Sequence, residues 1–250
     1  MTLTIDVGNT TINIAVYDEL IFIERYFLEA IKTRKSKDYR LLFNNLLQKY
    51  LNEIDGIIIS SVVPEINDEI NKTLEDLFKI KPMFLTVNSK TNINIKIDNP
   101  NELGSDLLCD AFGAIHSVGY PAIICDLGTA SKLIIVDNNG DFCGCTIFPG
   151  IGISYNSLYK NASLLEKNDV NLPNKICSKN TKDAINSGIL YGHIEEIKGL
   201  TRRIESEFGY EFKKVLTGGY ADLIKDNLEE FEYNPYLINF ALAKIYKLNK

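Results

Sequence analysis

Two short segments of the chain share the same order of residue types, and each follows a run of apolar, strand-forming residues. The first segment reads Asp6-Val-Gly-Asn-Thr10 and the second reads Asp126-Leu-Gly-Thr-Ala130. Each is followed by a second β-rich run, Ile12–Tyr17 or Leu133–Val136. Runs of this kind joined by a turn that contains glycine are typical of β-hairpins. Because a repeated pattern indicates a repeated architecture, the sequence predicts two lobes that begin in the same way.

The rest of each half predicts a third strand and then alternating helices and strands. The predicted third strands are Ile21–Phe27 and Phe142–Phe148, and the other predicted strands are Gly56–Val63, Met83–Val87 and Lys214–Leu216. Helical spacing of apolar residues runs from Ser36 to about Tyr50 and over Glu65–Phe78, Ser105–Val118, Thr181–Phe208, Tyr220–Leu228 and Tyr236–Tyr246. We therefore expect an α/β protein of two lobes with a cleft between them. The Gly119-Tyr-Pro121 turn divides the N-terminal lobe, residues 1–118, from the C-terminal lobe, residues 119–250, although the last helix can pack back on the first lobe.

Composition and charge exclude several classes of function. The net charge of -6 and the pI near 5.1 argue against nucleic-acid binding, which usually needs a basic face. No run approaches the roughly 18 apolar residues of a membrane span, and the N-terminus has no signal-peptide pattern, so we expect a cytoplasmic protein without a membrane partner. The five cysteines are scattered and form no metal-binding pattern. Neither a P-loop nor a dinucleotide-binding fingerprint is present.

The first repeated turn has the chemistry of a phosphate-binding site. Gly8 has no side chain, so a phosphate can approach the backbone and the turn can take a positive φ. The N–H groups of Gly8, Asn9 and Thr10, with the side chains of Asn9, Thr10 and Thr11, are candidate donors. Asp6 is suited to Mg²⁺ through water. A single turn of this kind is more often an ordinary hairpin turn, and the second turn at Asp126 is what favours a two-sided nucleotide site.

Two further segments are candidates for adenosine binding and for proton transfer. Thr217-Gly-Gly219 runs from a predicted strand toward a helix, and its small residues let a flat adenosine pack on the backbone. Asp106 lies in the first turn of a predicted helix, where the helix dipole favours a carboxylate that can act as a general base. The alternative for Asp106 is that aspartate is simply favourable at the start of a helix.

In their order along the chain these motifs resemble those of the bacterial type III pantothenate kinases, of the acetate kinase, sugar kinase, Hsp70 and actin superfamily. The matching segments are Asp6–Thr10, Ser61–Pro64, Asn99–Pro100 with Gly104–Asp106, Asp126–Ala130, Ile147–Gly150, Asn180–Thr181 with Ser187–Gly188, and Thr217–Gly219. The resemblance implies two RNase H-like, actin-like lobes. It also implies ATP-dependent phosphorylation of pantothenate, the entry step of coenzyme A synthesis.

The resemblance assigns roles to individual residues. Asp106 is implied as the general base, and Asp126 as a ligand of a monovalent cation, K⁺ or NH₄⁺. The implied ATP contacts are Asp6, Val7, Gly8, Asn9, Thr10, Thr11 and Thr129. The implied pantothenate contacts are Gly104, Ser105, Asp106 and Leu107. Thr181 is implied to reach the substrate across the interface of a homodimer.

Several positions depart from the family pattern. Leu107 stands where the family has arginine beside the catalytic aspartate, and it offers no charged grip on an anionic acceptor. Lys132 and Ile134 replace the threonine and aspartate that commonly follow the second turn, Cys145 replaces a glycine, and Ile97 stands near the place of a substrate-side tyrosine. These departures leave two alternatives open. One is a catalytically impaired, nucleotide-binding regulator of the same family, and the other is a kinase for another small hydroxylated acceptor.

Overall fold

Each repeated segment lies at the end of the central strand of its own mixed β-sheet. The computed structural model describes residues 1–162 and 169–250. Its chain divides into two units: one consists of Met1–Ile93, Asp98–Gly113 and Tyr236–Lys250, and the other of Asn94–Ile97 and Ala114–Pro235. In the described residues each unit contains one five-stranded sheet. None of the helices in this part of the chain is long and apolar enough to cross a membrane.

The strands and helices are as follows in chain order. The strands are β1 (Thr2–Val7), β2 (Thr11–Asp18), β3 (Ile21–Glu29), β4 (Gly56–Ser61), β5 (Met83–Phe84), β6 (Ala122–Leu127), β7 (Ala130–Val136), β8 (Phe142–Pro149), β9 (Lys213–Thr217) and β10 (Glu232–Tyr233). The helices are α1 (Ser36–Leu47), α2 (Pro64–Phe78), α3 (Ser105–Ser117), α4 (Ile151–Asn161), α5 (Thr181–Phe208) and α6 (Leu237–Asn249).

In the first unit the strand order is β3-β2-β1-β4-β5. The first three strands form an antiparallel meander, and β4 and β5 continue the sheet in parallel. Alternate residues of β1 point to opposite faces. Leu3 and Ile5 join the core beneath α1 and α2, whereas the hydroxyl of Thr4 accepts a hydrogen bond from Asn239 of α6. Helices therefore cover both faces of this sheet.

The second unit repeats this pattern with the strand order β10-β9-β6-β7-β8. Here β6, β7 and β8 form the meander, and β9 pairs in parallel with β6. The core joins Ile123 and Cys125 of β6 to Ile194 and Ile197 of α5. The predicted α/β architecture, with two meanders each extended by parallel strands, is thus confirmed.

Three local predictions were wrong. The segment Tyr220–Leu228 is not an α-helix but two short 3-10 turns, Ala221–Leu223 and Lys225–Asn227. The N–H of Tyr220 donates to the carbonyl of Leu127 at 3.0 Å, and the bonds that follow join residues three apart, so no α-helical turn is completed. The strands predicted to reach Val63 and Val87 end at Ser61 and Phe84. Helix α4 was not predicted, because it follows Gly150 directly and contains Gly152, and glycine disfavours helices.

Candidate active site

The first turn, between β1 and β2, is held by backbone hydrogen bonds. The N–H of Gly8 donates to the carbonyl of Thr11 at 3.0 Å, and the N–H of Val62 donates to the carbonyl of Val7 at 3.0 Å. Gly8 does not take the positive φ that the sequence suggested, but a Cβ there would lie 3.2 Å from the carbonyl oxygen of Thr11. Glycine is therefore favoured at this position by space, and its own N–H is used within the hairpin.

Three aspartates of the first unit lie within electrostatic range of one buried thiol. Cys109 is fully buried, and burial raises its pKa well above the usual value. The charges of Asp6, Asp110 and Asp106 raise this pKa further, while a hydrogen bond with Ser60 lowers it. The structure thus brings Asp6 of the predicted phosphate turn and Asp106, the predicted base, into one acidic neighbourhood.

Ser105 fixes the start of α3 against the end of β4. Its hydroxyl accepts a hydrogen bond from the N–H of Ser61 at 3.0 Å and donates to the carbonyl of the same residue at 3.2 Å. The hydroxyl of Ser60 lies 3.0 Å from it. Ser105, predicted as a substrate contact, therefore has a structural function in which it sets the position of the helix that carries Asp106.

The carboxylate of Asp106 lies directly over the backbone of Gly104. Its Oδ1 accepts a hydrogen bond from the N–H of Leu107 at 2.9 Å. A Cβ at Gly104 would lie 2.5 Å from the same oxygen, a separation that real Cβ atoms essentially never show. Asp106 and Leu107 are both half-buried, so each presents part of its side chain to solvent. The Gly-Ser-Asp-Leu sequence is therefore a unit in which each residue constrains the carboxylate.

In the second unit, two other motifs pack on the Asp126–Thr129 turn. Gly218 has a φ of +96°, and a Cβ there would lie 2.4 Å from the backbone nitrogen of Leu127 and 2.6 Å from Oδ1 of Asp126. A Cβ at Gly150 would lie 2.2 Å from the carbonyl oxygen of Thr129. Positions 218 and 150 therefore require glycine, and the Thr217–Gly219 and Ile147–Gly150 motifs meet at this turn.

Two other glycines at this place are not required by the fold. Gly128 and Gly219 have no positive φ. A Cβ at Gly128 would make only ordinary contacts, the nearest at 3.6 Å, and among the described residues a Cβ at Gly219 would meet nothing within 4 Å. A side chain would therefore fit at either position, and the space beside the backbone of Gly219 is open.

The carboxylate of Asp126 forms an ion pair with a lysine side chain of the same unit. Asp126 and Lys132 are direct partners across the β6–β7 hairpin, and Nζ of Lys132 lies 2.6 Å from Oδ2 of Asp126. Both side chains are only 12% exposed. In the sequence, Lys132 stands where the family commonly has threonine. Its spacing from Asp126 across a short turn was the signal that places the two opposite each other.

Comparison with known proteins decides the family of this chain. A family model described as type III pantothenate kinase matches residues 2–203. A curated type III pantothenate kinase from Halalkalibacterium halodurans is 34% identical over 253 residues and covers 100% of both chains. The chain belongs to the type III pantothenate kinase family.

Solved structures share the fold of this family member at low sequence identity. A structure from Campylobacter jejuni, whose description assigns it to the Baf family of transcriptional activators, is 20% identical with a TM-score of 0.60, and covers 99% of this chain and 98% of that chain. Component A of the (R)-2-hydroxyglutaryl-CoA dehydratase of Acidaminococcus fermentans is 16% identical with a TM-score of 0.57, and the coverage is 99% and 96%. Both likenesses show that these proteins share their fold with this chain.

In this pantothenate kinase family member, the carboxylate of Asp6 fits Mg²⁺, but the carboxylate of Asp126 does not fit a free monovalent cation. Residues 1–162 and 169–250 contain no group of three His, Cys, Asp or Glu side chains that could hold a metal ion. Mg²⁺ bound with a nucleotide usually needs only one or two carboxylates, because water and phosphate oxygens supply the other ligands. Asp6 at the end of β1 fits that requirement. Asp126 does not fit K⁺ or NH₄⁺, because Lys132 already pairs with its carboxylate.

Thr181 is exposed at the first position of α5, in the second unit. The side chain of the preceding residue, Asn180, caps the helix by accepting a hydrogen bond from the N–H of Asp183 at 2.9 Å. The structure thus places Thr181 on the protein surface, at the end of a helix whose start is well defined. Its predicted contact with a substrate in a partner subunit stays a prediction.

Proposed function

We propose that this chain transfers the γ-phosphoryl group of ATP to the terminal hydroxyl of pantothenate. The products are ADP and 4'-phosphopantothenate, and the reaction is the first step of coenzyme A biosynthesis. The observation that carries the proposal is the full-length similarity to a curated type III pantothenate kinase, at 34% identity. The retention of Asp6, Asp106 and both glycine-containing turns supports it.

In this proposal Asp106 is the general base. Its carboxylate takes the proton of the acceptor hydroxyl as the hydroxyl oxygen bonds to the γ-phosphorus and the bond between that phosphorus and the departing ADP oxygen breaks. The N–H of Leu107 and the missing side chain of Gly104 support this role, because together they hold the carboxylate in one orientation. Positioning of this kind supplies much of the rate enhancement in phosphoryl transfer.

We assign ATP binding to residues of both turns. In the first turn Asn9, Thr10 and Thr11 supply polar donors, and Val7 and Gly8 bring the backbone close to the phosphates. Asp6 holds Mg²⁺ through water, and the bound ion neutralises phosphate charge. In the second unit the hydroxyl of Thr129 contacts ATP. Gly128 and Gly219 support this assignment, because the fold itself does not require glycine at either position.

The acceptor contacts are assigned to the Gly104–Leu107 segment. Leu107 offers an apolar surface at the position where the family's arginine could form an ion pair with the carboxylate of pantothenate. This favours a second candidate, a kinase for a related hydroxylated acceptor that lacks the carboxylate. Pantothenyl alcohol, the neutral analogue of pantothenate, separates the two candidates, since a pantothenate kinase prefers the acid.

We also propose a homodimer in which Thr181 contacts the substrate of the partner subunit. The support is a set of exposed apolar side chains on the edge strand β8 and on α4, namely Ile147, Ile153 and Leu158. Large apolar side chains grouped on a surface mark places where proteins associate. A dimer that buries this surface would account for its composition.

The direct test is ADP release from ATP by the purified protein with Mg²⁺, in the presence and absence of pantothenate. We expect pantothenate-dependent turnover, with Asp106→Asn lowering kcat by at least about 10²-fold and leaving ATP affinity nearly unchanged. ATP binding by calorimetry without turnover on any hydroxylated acceptor would instead support the regulatory alternative. Full turnover by Asp106→Asn would remove Asp106 from the role of base.

A further inference from the structure

The ion pair of Asp126 and Lys132 differs from most ion pairs in the described part of the chain. Its atoms lie 2.6 Å apart, and each side chain is only 12% exposed. Exposed pairs are screened by water and salt, whereas a buried carboxylate needs a partner charge. The ammonium is tethered to β7, directly opposite Asp126, so salt screens this pair less than the exposed pairs.

The ammonium of a lysine side chain has the charge and the N–H donors of NH₄⁺. It therefore supplies what a bound monovalent cation would supply to this carboxylate, namely one positive charge at contact distance. A second cation at the same oxygen would meet the repulsion of the first in a site with little water. The other carboxylate oxygen borders Gly218, where a Cβ would lie 2.6 Å from it. Gly218 therefore closes one side of that oxygen to a hydrated ion.

We propose that the Lys132 ammonium is a built-in replacement for the monovalent cation, so that this protein works without K⁺ or NH₄⁺. Lys132 is a positioning residue that neutralises Asp126 and keeps the Asp126–Thr129 turn in a form that accepts phosphate. The part of this inference that concerns turnover rests on the proposed kinase function. The part that concerns cation binding does not.

The first test uses the wild-type protein and needs no turnover. Thallium(I), a spectroscopic substitute for K⁺, is titrated and followed by ²⁰⁵Tl NMR, and Tm is measured in KCl, NH₄Cl and tetramethylammonium chloride at equal ionic strength. We expect no saturable thallium signal and the same Tm in the three salts. A specific thallium site, or a Tm that rises selectively with K⁺ or NH₄⁺, overturns the proposal.

The second test creates the missing cation site. Lys132→Thr removes the ammonium and leaves Asp126 unpaired, so Tm should fall in tetramethylammonium and recover in NH₄⁺ or K⁺. Lys214→Thr is the matched control, because Lys214 pairs with Glu205 at 2.8 Å and the two side chains are 13% and 20% exposed, in the same unit. That variant should lose stability equally in all three salts. If both variants respond alike to the salts, the cation-replacement role of Lys132 is wrong.

Turnover gives a third, separate measurement. Wild-type turnover should agree within about twofold with and without K⁺, while Lys132→Thr should lose at least about tenfold without K⁺ or NH₄⁺ and regain activity when NH₄⁺ is added. A wild-type enzyme that needs K⁺ overturns the inference. No turnover of pantothenate in any salt contradicts the proposed function instead, and the cation-binding tests then still decide the inference.

Discussion

Replacing Gly104 with alanine moves the proposed catalytic carboxylate without removing it. The added Cβ would lie 2.5 Å from Oδ1 of Asp106, whereas ordinary contacts of this kind begin at 3.4 Å. The oxygen must therefore shift by about 1 Å, a displacement that can cost about 10²-fold in rate when it affects a reacting group. We expect Gly104→Ala to lower kcat by about that factor, equivalent to about 2.7 kcal/mol of transition-state stabilisation.

The same change should leave the fold intact. Gly104 does not require a positive φ, and the crowded atom is the end of an adjustable side chain, not backbone. Alanine also restricts the unfolded chain, so the free energy of unfolding should change by less than about 1 kcal/mol. Gly192→Ala in α5 is the matched control, because a Cβ there meets nothing within 4 Å in the described part of the chain. It should alter neither kcat nor ATP affinity.

Steady-state ADP release and thermal unfolding are the assays for this prediction. If Gly104→Ala acts only through Asp106, the double variant with Asp106→Asn should be no slower than Asp106→Asn alone, because the two changes affect one carboxylate. Wild-type kcat in Gly104→Ala, measured beside an inactive Asp106→Asn, would refute the argument that Gly104 sets the position of the carboxylate. A variant that fails to fold would refute the argument on stability.

Three further variants test other parts of the structure. Leu107→Arg should lower the KM for pantothenate about tenfold and leave the KM for pantothenyl alcohol unchanged. The reason is that a guanidinium adds a charge-assisted hydrogen bond only to the acid. Equal effects on both acceptors would contradict this reason. Ile153→Asp should shift the protein toward monomer in analytical ultracentrifugation, and an unchanged sedimentation coefficient would exclude the β8–α4 surface as the interface. Burial raises the pKa of Asp137, but backbone hydrogen bonds and Lys96 outweigh it and lower the pKa to about 2. The charge of Asp137 therefore stabilises the fold above its unfolded pKa of about 4, and this stabilisation is lost as pH falls toward 2. Asp137→Asn should flatten the Tm profile over that range.

The parts of the fold with strong local signals were predictable. The meanders followed from β-branched runs and glycine turns, and α5 was predicted at its observed bounds. The side chain of Asn180 caps the start of that helix, and Gly209 ends it with a φ of +76°. Both signals are local in sequence, which is why the sequence pattern predicts this helix.

Features that depend on contacts between distant segments were not predictable. The segment after Gly219 had a helical pattern, but the bond from Tyr220 to Leu127 on β6 holds it in 3-10 turns. The pairing of Asp126 with Lys132 is a different case, because the two residues are close in sequence. The family resemblance implied a cation at Asp126, and the spacing across the hairpin, which places Lys132 opposite it, was not applied.

Glycines at equivalent or neighbouring positions of these motifs differ in whether the fold requires them. Gly8 and Gly128 occupy the same place in the two repeated turns, yet a Cβ would be tight at Gly8, at 3.2 Å, and would fit at Gly128. Gly218 and Gly219 are neighbours, yet only Gly218 needs a positive φ and lies against the backbone of Leu127. A glycine that the fold requires says nothing about a ligand. Gly128 and Gly219 are not required in this way, so they support nucleotide binding more strongly than Gly8, the glycine of the motif that first suggested it.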